Sequence, residues 1–435
     1  MRRRDFQVFV RSFGCPTNLA DGEVLAGCLA EAGYKIVNDL SVADIILCNT
    51  CGVKGPTEDR MISLLKRFPS EKKLVIAGCL PLINFERLCK EVSFDGVLGP
   101  ASGDKIVDVM KLVLDGKHIV RLGEAEMAKP SLMLPRIRVN PIVGIIPINY
   151  GCLGSCAYCC VVSARGRLRS YKIEEILQRA YSDLADGVRE FWITSQDTAC
   201  YGKDIGSTLA DLLKALDKLE GDFRIRVGMM TPNLAKDILT DLIEAFQSEK
   251  IFKFVHFPVQ SGDDQILQRM RRIYSVDDFK EIVNTFRSSF SSVTLATDII
   301  CGFPGETKEA FERSLNLIEE VEPDIVNISK FHARPNTSAA AMQKDSVPPR
   351  EIKRRSTVMS QLTKKIALKR NRRWIGWNGK VFVDEVGKVP GSWIGRNHAY
   401  KPIVLKHASD SLISETLNLR IIDASTTYLK GEVIK

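Results

Sequence analysis

Cys152, Cys156 and Cys159 stand in the run Cys-Leu-Gly-Ser-Cys-Ala-Tyr-Cys, a C-x3-C-x2-C spacing. Three thiolates on one short loop can each ligate one iron of a [4Fe–4S] cube, leaving the fourth iron without a protein ligand. An open coordination position is what a metal needs to bind a reactant. Zinc is the competing reading, but zinc commonly takes four ligands in paired C-x2-C units, and no partner pair stands nearby. Cys160 follows directly and could replace Cys159; it reads as a neighbour packed behind the loop.

A second set of cysteines is scattered. Cys15 follows one short apolar run, Cys51 the next and Cys79 a third. If those runs are parallel strands, the loops after them share one sheet edge, where ligands bind. Three cysteines then converge into a second open-iron site. Cys48-Asn-Thr-Cys51 alternatively reads as a redox C-x-x-C pair.

The elements that must position these residues follow from the hydrophobic pattern. Gln7–Val10, Ala43–Leu47 and Lys73–Ala77 read as strands, with helices over Gly22–Ala32 and Thr57–Arg67. That alternation predicts a parallel sheet covered on both faces. A linker with Pro130, Pro135 and Pro141 follows. Six strand patterns come next: Gly144–Ile148, Glu190–Thr194, Arg224–Val227, Lys253–Phe257, Ser292–Ala296 and Asp324–Ile328. Each of the first five is followed by a helical pattern, which predicts an incomplete (β/α)6 barrel or a doubly wound sheet. After Pro348-Pro349 comes a basic helix, Arg350–Arg373. Then four short strands follow: Lys380–Val383, Pro402–Leu405, Leu417–Ile421 and Tyr428–Val433. They predict a small β-barrel. The expected division is 1–115, a linker 116–140, a barrel 141–370 and a terminal barrel 371–435.

Polar groups at the ends of barrel strands face whatever the barrel binds. Gln196, Asp197 and Thr198 end one strand, His256 to Gly262 another, and Asp298 to Glu306 a third.

From Pro348 to Lys435 there are 18 Lys/Arg against 7 Asp/Glu, whereas the rest of the chain carries 44 against 46. The positive field belongs to the C-terminal fifth and predicts a polyanionic partner there. Lys353, Arg354, Arg355, Lys369, Arg370, Arg372 and Arg373 are the expected phosphate contacts. Trp374, Trp377 and Trp393 could stack on bases or fill the small barrel. No run is long and apolar enough to span a bilayer, and no signal peptide is visible, so a cytoplasmic protein is expected. The 12 cysteines then argue for metal or redox chemistry rather than disulfides.

The C-x3-C-x2-C loop resembles that of the radical S-adenosylmethionine superfamily. Gly14-Cys-Pro-Thr-Asn18, Asn49-Thr-Cys51, Ala77-Gly-Cys79, His256–Gly262 and Gly302-Phe-Pro-Gly-Glu306 resemble the methylthiotransferases within it. Asn49–Asp59, Ala164–Tyr171 and Thr194–Thr198 resemble the archaeal and eukaryotic branch, which acts on tRNA N6-threonylcarbamoyladenosine. Tyr171 stands where many relatives in other branches have arginine. The resemblance runs nearly the whole chain and makes the terminal barrel similar to a TRAM domain. Eukaryotic members can carry a hydrophobic C-terminal anchor; the run Glu432-Val-Ile-Lys435 does not resemble one, so an archaeal-type member is expected.

The resemblance implies two [4Fe–4S] clusters, on Cys152, Cys156 and Cys159 and on Cys15, Cys51 and Cys79, with S-adenosylmethionine as cofactor. The first cluster would cleave S-adenosylmethionine to a 5′-deoxyadenosyl radical; the second would carry the sulfur that reaches adenine C2. Gln196, Asp197 and Thr198 would hold the methionyl end of the cofactor, and Ser261, Gly302 and Glu306 its ribose or adenine side. The implied partners are the tRNA anticodon stem-loop, an electron donor and a sulfur source. Competing readings are a methylthiotransferase for another tRNA adenosine or a ribosomal protein, and a non-catalytic iron–sulfur RNA-binding or redox-sensing protein.

Overall fold

A computed structural model describes residues 6–123, 129–406 and 411–434. The N-terminal sheet has six parallel strands in the order Lys35–Val37, Gln7–Ser12, Ile45–Thr50, Lys73–Gly78, Gly96–Leu98 and Ile119–Arg121. Strand side chains alternate between faces. Ile45 and Leu47 therefore enter one core, with Leu25 and Leu29 of the helix Pro16–Glu31 and Val109 of Lys105–Leu114. Ile46 and Cys48 enter the opposite core, with Ile62 of Gly55–Leu65 and Leu88 of Phe85–Glu91. Cys48 is fully buried there, its thiol pushed up to about 12 by burial, so it is a core residue and not half of a redox pair.

The central part holds six parallel strands in two groups. Arg224–Val227, Glu190–Thr194 and Val143–Pro147 form one, and Phe254–His256, Thr294–Cys301 and Ile325–Lys330 the other. A bridge between Ile225 and Ile251 links them into an open barrel. Ile193, Ile225 and Val227 pack outward on the helices. The alternate residues face the concave side.

That concave side is partly covered from elsewhere in the chain. Leu19 and Ala20 of the N-terminal helix pack on Ile145 and Trp192. Tyr400 packs on Phe252 and Phe254 and donates to Glu190 Oε1 at 3.1 Å.

Residues 129–141 are strapped to the helix Pro16–Glu31. Ile137 N–H donates to the Glu23 carbonyl and Val139 N–H to Glu23 Oε1, each at 3.0 Å. A Cβ at Gly27 would fall 2.2 Å from the Pro135 carbonyl oxygen, so glycine is required for that approach. Burial raises Glu23 to about 7, against the lowering pull of the Val139 hydrogen bond, Arg136 and Arg138. A carboxyl raised in the folded state binds more protons folded than unfolded, so stability falls as pH rises through that interval. Thermal melts should therefore decline from about pH 4.5 to about 7, and Glu23→Gln, which keeps the acceptor, should flatten that slope. An unchanged slope in the variant would refute this assignment.

The chain ends in a closed five-stranded barrel, Asn378–Val386, Ser392–Arg396, Pro402–Lys406, Leu429–Val433 and Thr416–Ala424. Trp393 is buried in its core, and Trp374 and Trp377 pack against it, so all three tryptophans serve the barrel. The helix Pro349–Arg372 is 24 residues long, about 36 Å, enough to run the height of the central barrel. It packs along Ile325–Lys330, the last strand of the central barrel. Among the described residues no helix is long and apolar enough to cross a membrane.

Candidate functional site

Cys15 is the N-cap of the helix Pro16–Glu31, where Pro16 supplies a preset φ and needs no N–H partner. Cys79 caps the next short helix, Leu80–Ile83. Cys51 directly follows the strand Ile45–Thr50. The three line one cavity of about 380 Å3, together with Val161, Arg165, Ser195, Gln196 and Met229 from the central barrel. The cavity therefore lies between the N-terminal sheet edge and the barrel mouth.

Two glycines make the convergence possible. A Cβ at Gly14 would stand 2.8 Å from Cys51 Cβ, and one at Gly78 would stand 2.3 Å from the Thr50 carbonyl oxygen. Gly78 also has φ +95°, in the left-handed region that L side chains avoid. Gly78→Ala should cost more than about 1 kcal/mol and lose the iron carried by this site, read as iron per chain after anaerobic reconstitution. Full iron in the variant would contradict this role for Gly78.

The second loop lines a smaller cavity of about 150 Å3 with Cys152, Cys156 and Cys159. A Cβ at Gly154 would sit 3.3 Å from Cys152 Sγ and 3.5 Å from Cys156 Sγ, so both sulfurs turn toward one point. Cys152 Sγ accepts from Gly154 N–H at 3.2 Å, and Cys159 Sγ from Val161 N–H at 3.4 Å. Arg272 donates to Cys156 Sγ at 3.0 Å. Cys160 is buried, donates to the Val53 carbonyl at 3.8 Å and lines neither cavity.

Among the described residues no three His, Cys, Asp or Glu side chains meet as they would around a single ion. The donor sets fit larger groups. Each is three thiols around a space, and the first is bordered by a cation. Arg165 Nη1 is buried without a hydrogen-bond partner beside Cys79, and its charge lowers that thiol. An anionic cluster on three thiolates would satisfy it. Burial nonetheless pushes Cys79 to about 12 and Cys152 to about 11 and raises Cys51 and Cys159. Iron must therefore displace protons to bind.

Two buried arginines join the sites. Arg165 Nη2 reaches Asn18 Oδ1 at 3.0 Å and Asp21 Oδ2 at 2.7 Å, and Tyr150 donates to Asp21 Oδ1 at 2.7 Å. Arg334 Nη2 reaches the carbonyl of Gly52, beside Cys51, at 2.7 Å and pairs with Glu58. Both ties run from the barrel to the N-terminal unit.

Of the six residues expected at the cofactor, only Gln196 lines the larger cavity. Its Oε1 also accepts from Gly151 N–H at 2.8 Å, tying it to the cysteine loop. Asp197 is spent within the fold, Oδ1 accepting from Ala199 and Thr231 N–H at 3.1 and 3.0 Å. Thr198 donates to the Met229 carbonyl at 2.9 Å. Ser261 is buried and accepts from Asp263 N–H at 3.2 Å. Glu306 accepts from Gly302 N–H and from Arg355 Nη1, both at 2.7 Å.

The basic helix also needs correction. Arg355 is buried on Glu306, so it is not free to meet a phosphate. Arg370 pairs with Asp324, Lys369 and Arg373 with Glu322, and Arg354 with Glu351. Lys353 and Arg372 are exposed. Sequence counting registered these charges but could not register their acidic partners. It also missed Arg272 and Arg334, which carry no local motif.

An open parallel barrel with a three-cysteine loop at the ends of its strands defines a radical S-adenosylmethionine protein. Residues 146–318 match the Radical SAM superfamily, residues 7–99 an uncharacterized protein family, UPF0004, and residues 380–434 the TRAM domain. The fold is similar to the radical S-adenosylmethionine methyltransferase TsrM of Kitasatospora setae, solved with cobalamin and a [4Fe–4S] cluster. The TM-score is 0.53 at 14% identity, over 94% of this chain and 83% of that one. The chain is 40% identical to a "probable threonylcarbamoyladenosine tRNA methylthiotransferase" of Pyrococcus abyssi, over 98% of this chain and 99% of the relative. It is 34% identical to the human threonylcarbamoyladenosine tRNA methylthiotransferase, over 98% of this chain and 74% of that protein. The chain belongs to the family of threonylcarbamoyladenosine tRNA methylthiotransferases.

Proposed function

We propose that this protein converts N6-threonylcarbamoyladenosine in a tRNA anticodon loop to its 2-methylthio derivative. The observation that carries the reading is the shared cavity: Cys15, Cys51 and Cys79 of one unit face Gln196 and Met229 at the mouth of the other. Cys152, Cys156 and Cys159 would hold one [4Fe–4S] cluster and Cys15, Cys51 and Cys79 the other. With S-adenosylmethionine bound, these groups supply radical activation of an unreactive C–H bond and the sulfur that replaces its hydrogen.

The chain's own residues do the rest. Gly154, Val161 and Arg272 donate to the three loop sulfurs, the kind of hydrogen bonding that sets a cluster's potential. Gln196 fixes the loop at Gly151 and faces the cavity, the position for a polar contact to cofactor or base. Val53, Val161, Ala164 and Met229 line the cavity with apolar surface that limits water. Arg165 and Arg334 hold the two units at fixed separation.

The protein works in the cytoplasm beside its tRNA. A one-electron donor would supply the reducing equivalent and a sulfur source the transferred sulfur. Lys353, Arg372 and the exposed positive surface of the terminal barrel meet the RNA backbone. An anticodon loop is single-stranded, so turning its base into the cavity costs little. The test is nucleoside mass spectrometry of tRNA bearing threonylcarbamoyladenosine, after anaerobic incubation with reductant and S-adenosylmethionine. A methylthio product is expected; 5′-deoxyadenosine without that product would overturn the substrate assignment.

A further inference from the structure

The buried arginines among the described residues each hold a carboxylate, Arg165 with Asp21, Arg179 with Asp183, Arg334 with Glu58 and Arg355 with Glu306, and the half-buried Arg396 holds Asp384. Arg226 differs. It lies on the strand Arg224–Val227, between Ile225 and Val227, which face the helices, so its side chain projects into the concave interior of the barrel. Its guanidinium carbon stands 5.4 Å from the Trp192 ring, 5.0 Å from Phe254 and 5.4 Å from Tyr400. Those faces hold the cation and satisfy none of its N–H donors. Nε is buried without a hydrogen-bond partner, and Arg226 makes no ion pair among the described residues. Glu190, on the same face, accepts from Trp192 and Tyr400 at Oε1, while its Oε2 is buried without a partner and makes no ion pair with Arg226.

A rigidly held guanidinium with unfilled donors is a receptor for a planar anion. Met229, which lines the cavity of Cys15, Cys51 and Cys79, stands three positions along the chain from Arg226, a reach of at most about 10 Å. That is the scale of a purine extended through an N6-threonylcarbamoyl arm. We infer that Arg226 receives the carboxylate of the threonylcarbamoyl group and so selects this nucleoside over adenosines with a neutral N6 substituent. The inference rests on the substrate reading above. It adds the residue that reads the substrate's charge.

The test is binding of anticodon stem-loop RNA by the reconstituted protein, wild type, Arg226→Gln and Arg226→Lys. Three RNAs are compared: one bearing threonylcarbamoyladenosine, one bearing its carboxyl methyl ester and one with plain adenosine. Wild type should bind the carboxylate roughly ten- to a hundred-fold tighter than the ester. Arg226→Gln should erase that preference, Arg226→Lys should restore part of it, and plain RNA should bind all three proteins alike. A preference retained in Arg226→Gln would overturn the role of Arg226 and leave the substrate reading standing. No preference in the wild type would overturn the inference and count against the substrate reading as well.

Discussion

Cys51→Ala is expected to abolish methylthio product, by more than about a thousand-fold, while formation of 5′-deoxyadenosine from S-adenosylmethionine continues. The reason is the separation of the two cysteine sets. Cys51 lines the larger cavity with Cys15 and Cys79, whereas Cys152, Cys156 and Cys159 line their own. Removing one of three ligands should cost that cluster and leave the other, because Gly154, Val161 and Arg272 still support the loop sulfurs. The same kind of lesion at Cys156 should stop both products. Simultaneous product analysis of the two variants decides the matter. Loss of 5′-deoxyadenosine in Cys51→Ala would mean that the sites do not work as two centres.

Arg165→Met should destabilise the protein by about 3 to 5 kcal/mol, the range for removing one partner of a buried ion pair. Arg165 and Asp21 are both nearly inaccessible, and their contact ties the barrel to the helix that begins at Cys15. Without the guanidinium, Asp21 keeps only the Tyr150 hydroxyl on Oδ1 and remains a buried charge. Adding Asp21→Asn should recover part of the loss, since the uncompensated charge is removed. Denaturant unfolding of the single and double variants provides the measurement. A change below about 1 kcal/mol in Arg165→Met would show that the pair does not bind the units together.

The large architecture was readable because each cysteine of the N-terminal set follows a strand long enough to show its pattern. Gln7–Ser12, Ile45–Thr50 and Lys73–Gly78 each span six residues. The strands Lys35–Val37, Gly96–Leu98 and Ile119–Arg121 were missed, because three residues carry too little periodicity. Ser392–Arg396 was missed for another reason: the run Ser-Trp-Ile-Gly-Arg breaks alternation with glycine at a covered position. That Gly395 lies against Val381, where a Cβ would meet Cγ1 at 2.6 Å.

Within the site, the cysteines and Gln196 were readable because spacing and strand position define them. Asp197 and Thr198 sit one and two residues away, yet the strand end turns their polar atoms inward to Thr231 and Met229. Proximity in sequence did not reveal that turn. Arg165 stood in a recognisable motif with no role attached. Its function depends on Asp21, 144 residues away, and only the packed structure brings them together. The basic helix gives the same lesson, since Glu306, Glu322 and Asp324 lie outside it and absorb much of its charge.

The most direct test of two separate clusters is iron per chain after anaerobic reconstitution, read with the electron paramagnetic resonance spectrum before and after S-adenosylmethionine. Wild type should hold about eight irons. A variant with Cys15, Cys51 and Cys79 all changed to alanine should hold about four and keep a spectrum that shifts when S-adenosylmethionine is added. The variant lacking Cys152, Cys156 and Cys159 should also hold about four, with the S-adenosylmethionine-dependent signal of the loop cluster gone. About four irons in the wild type, or none in either variant, would contradict two independent clusters built on these six cysteines.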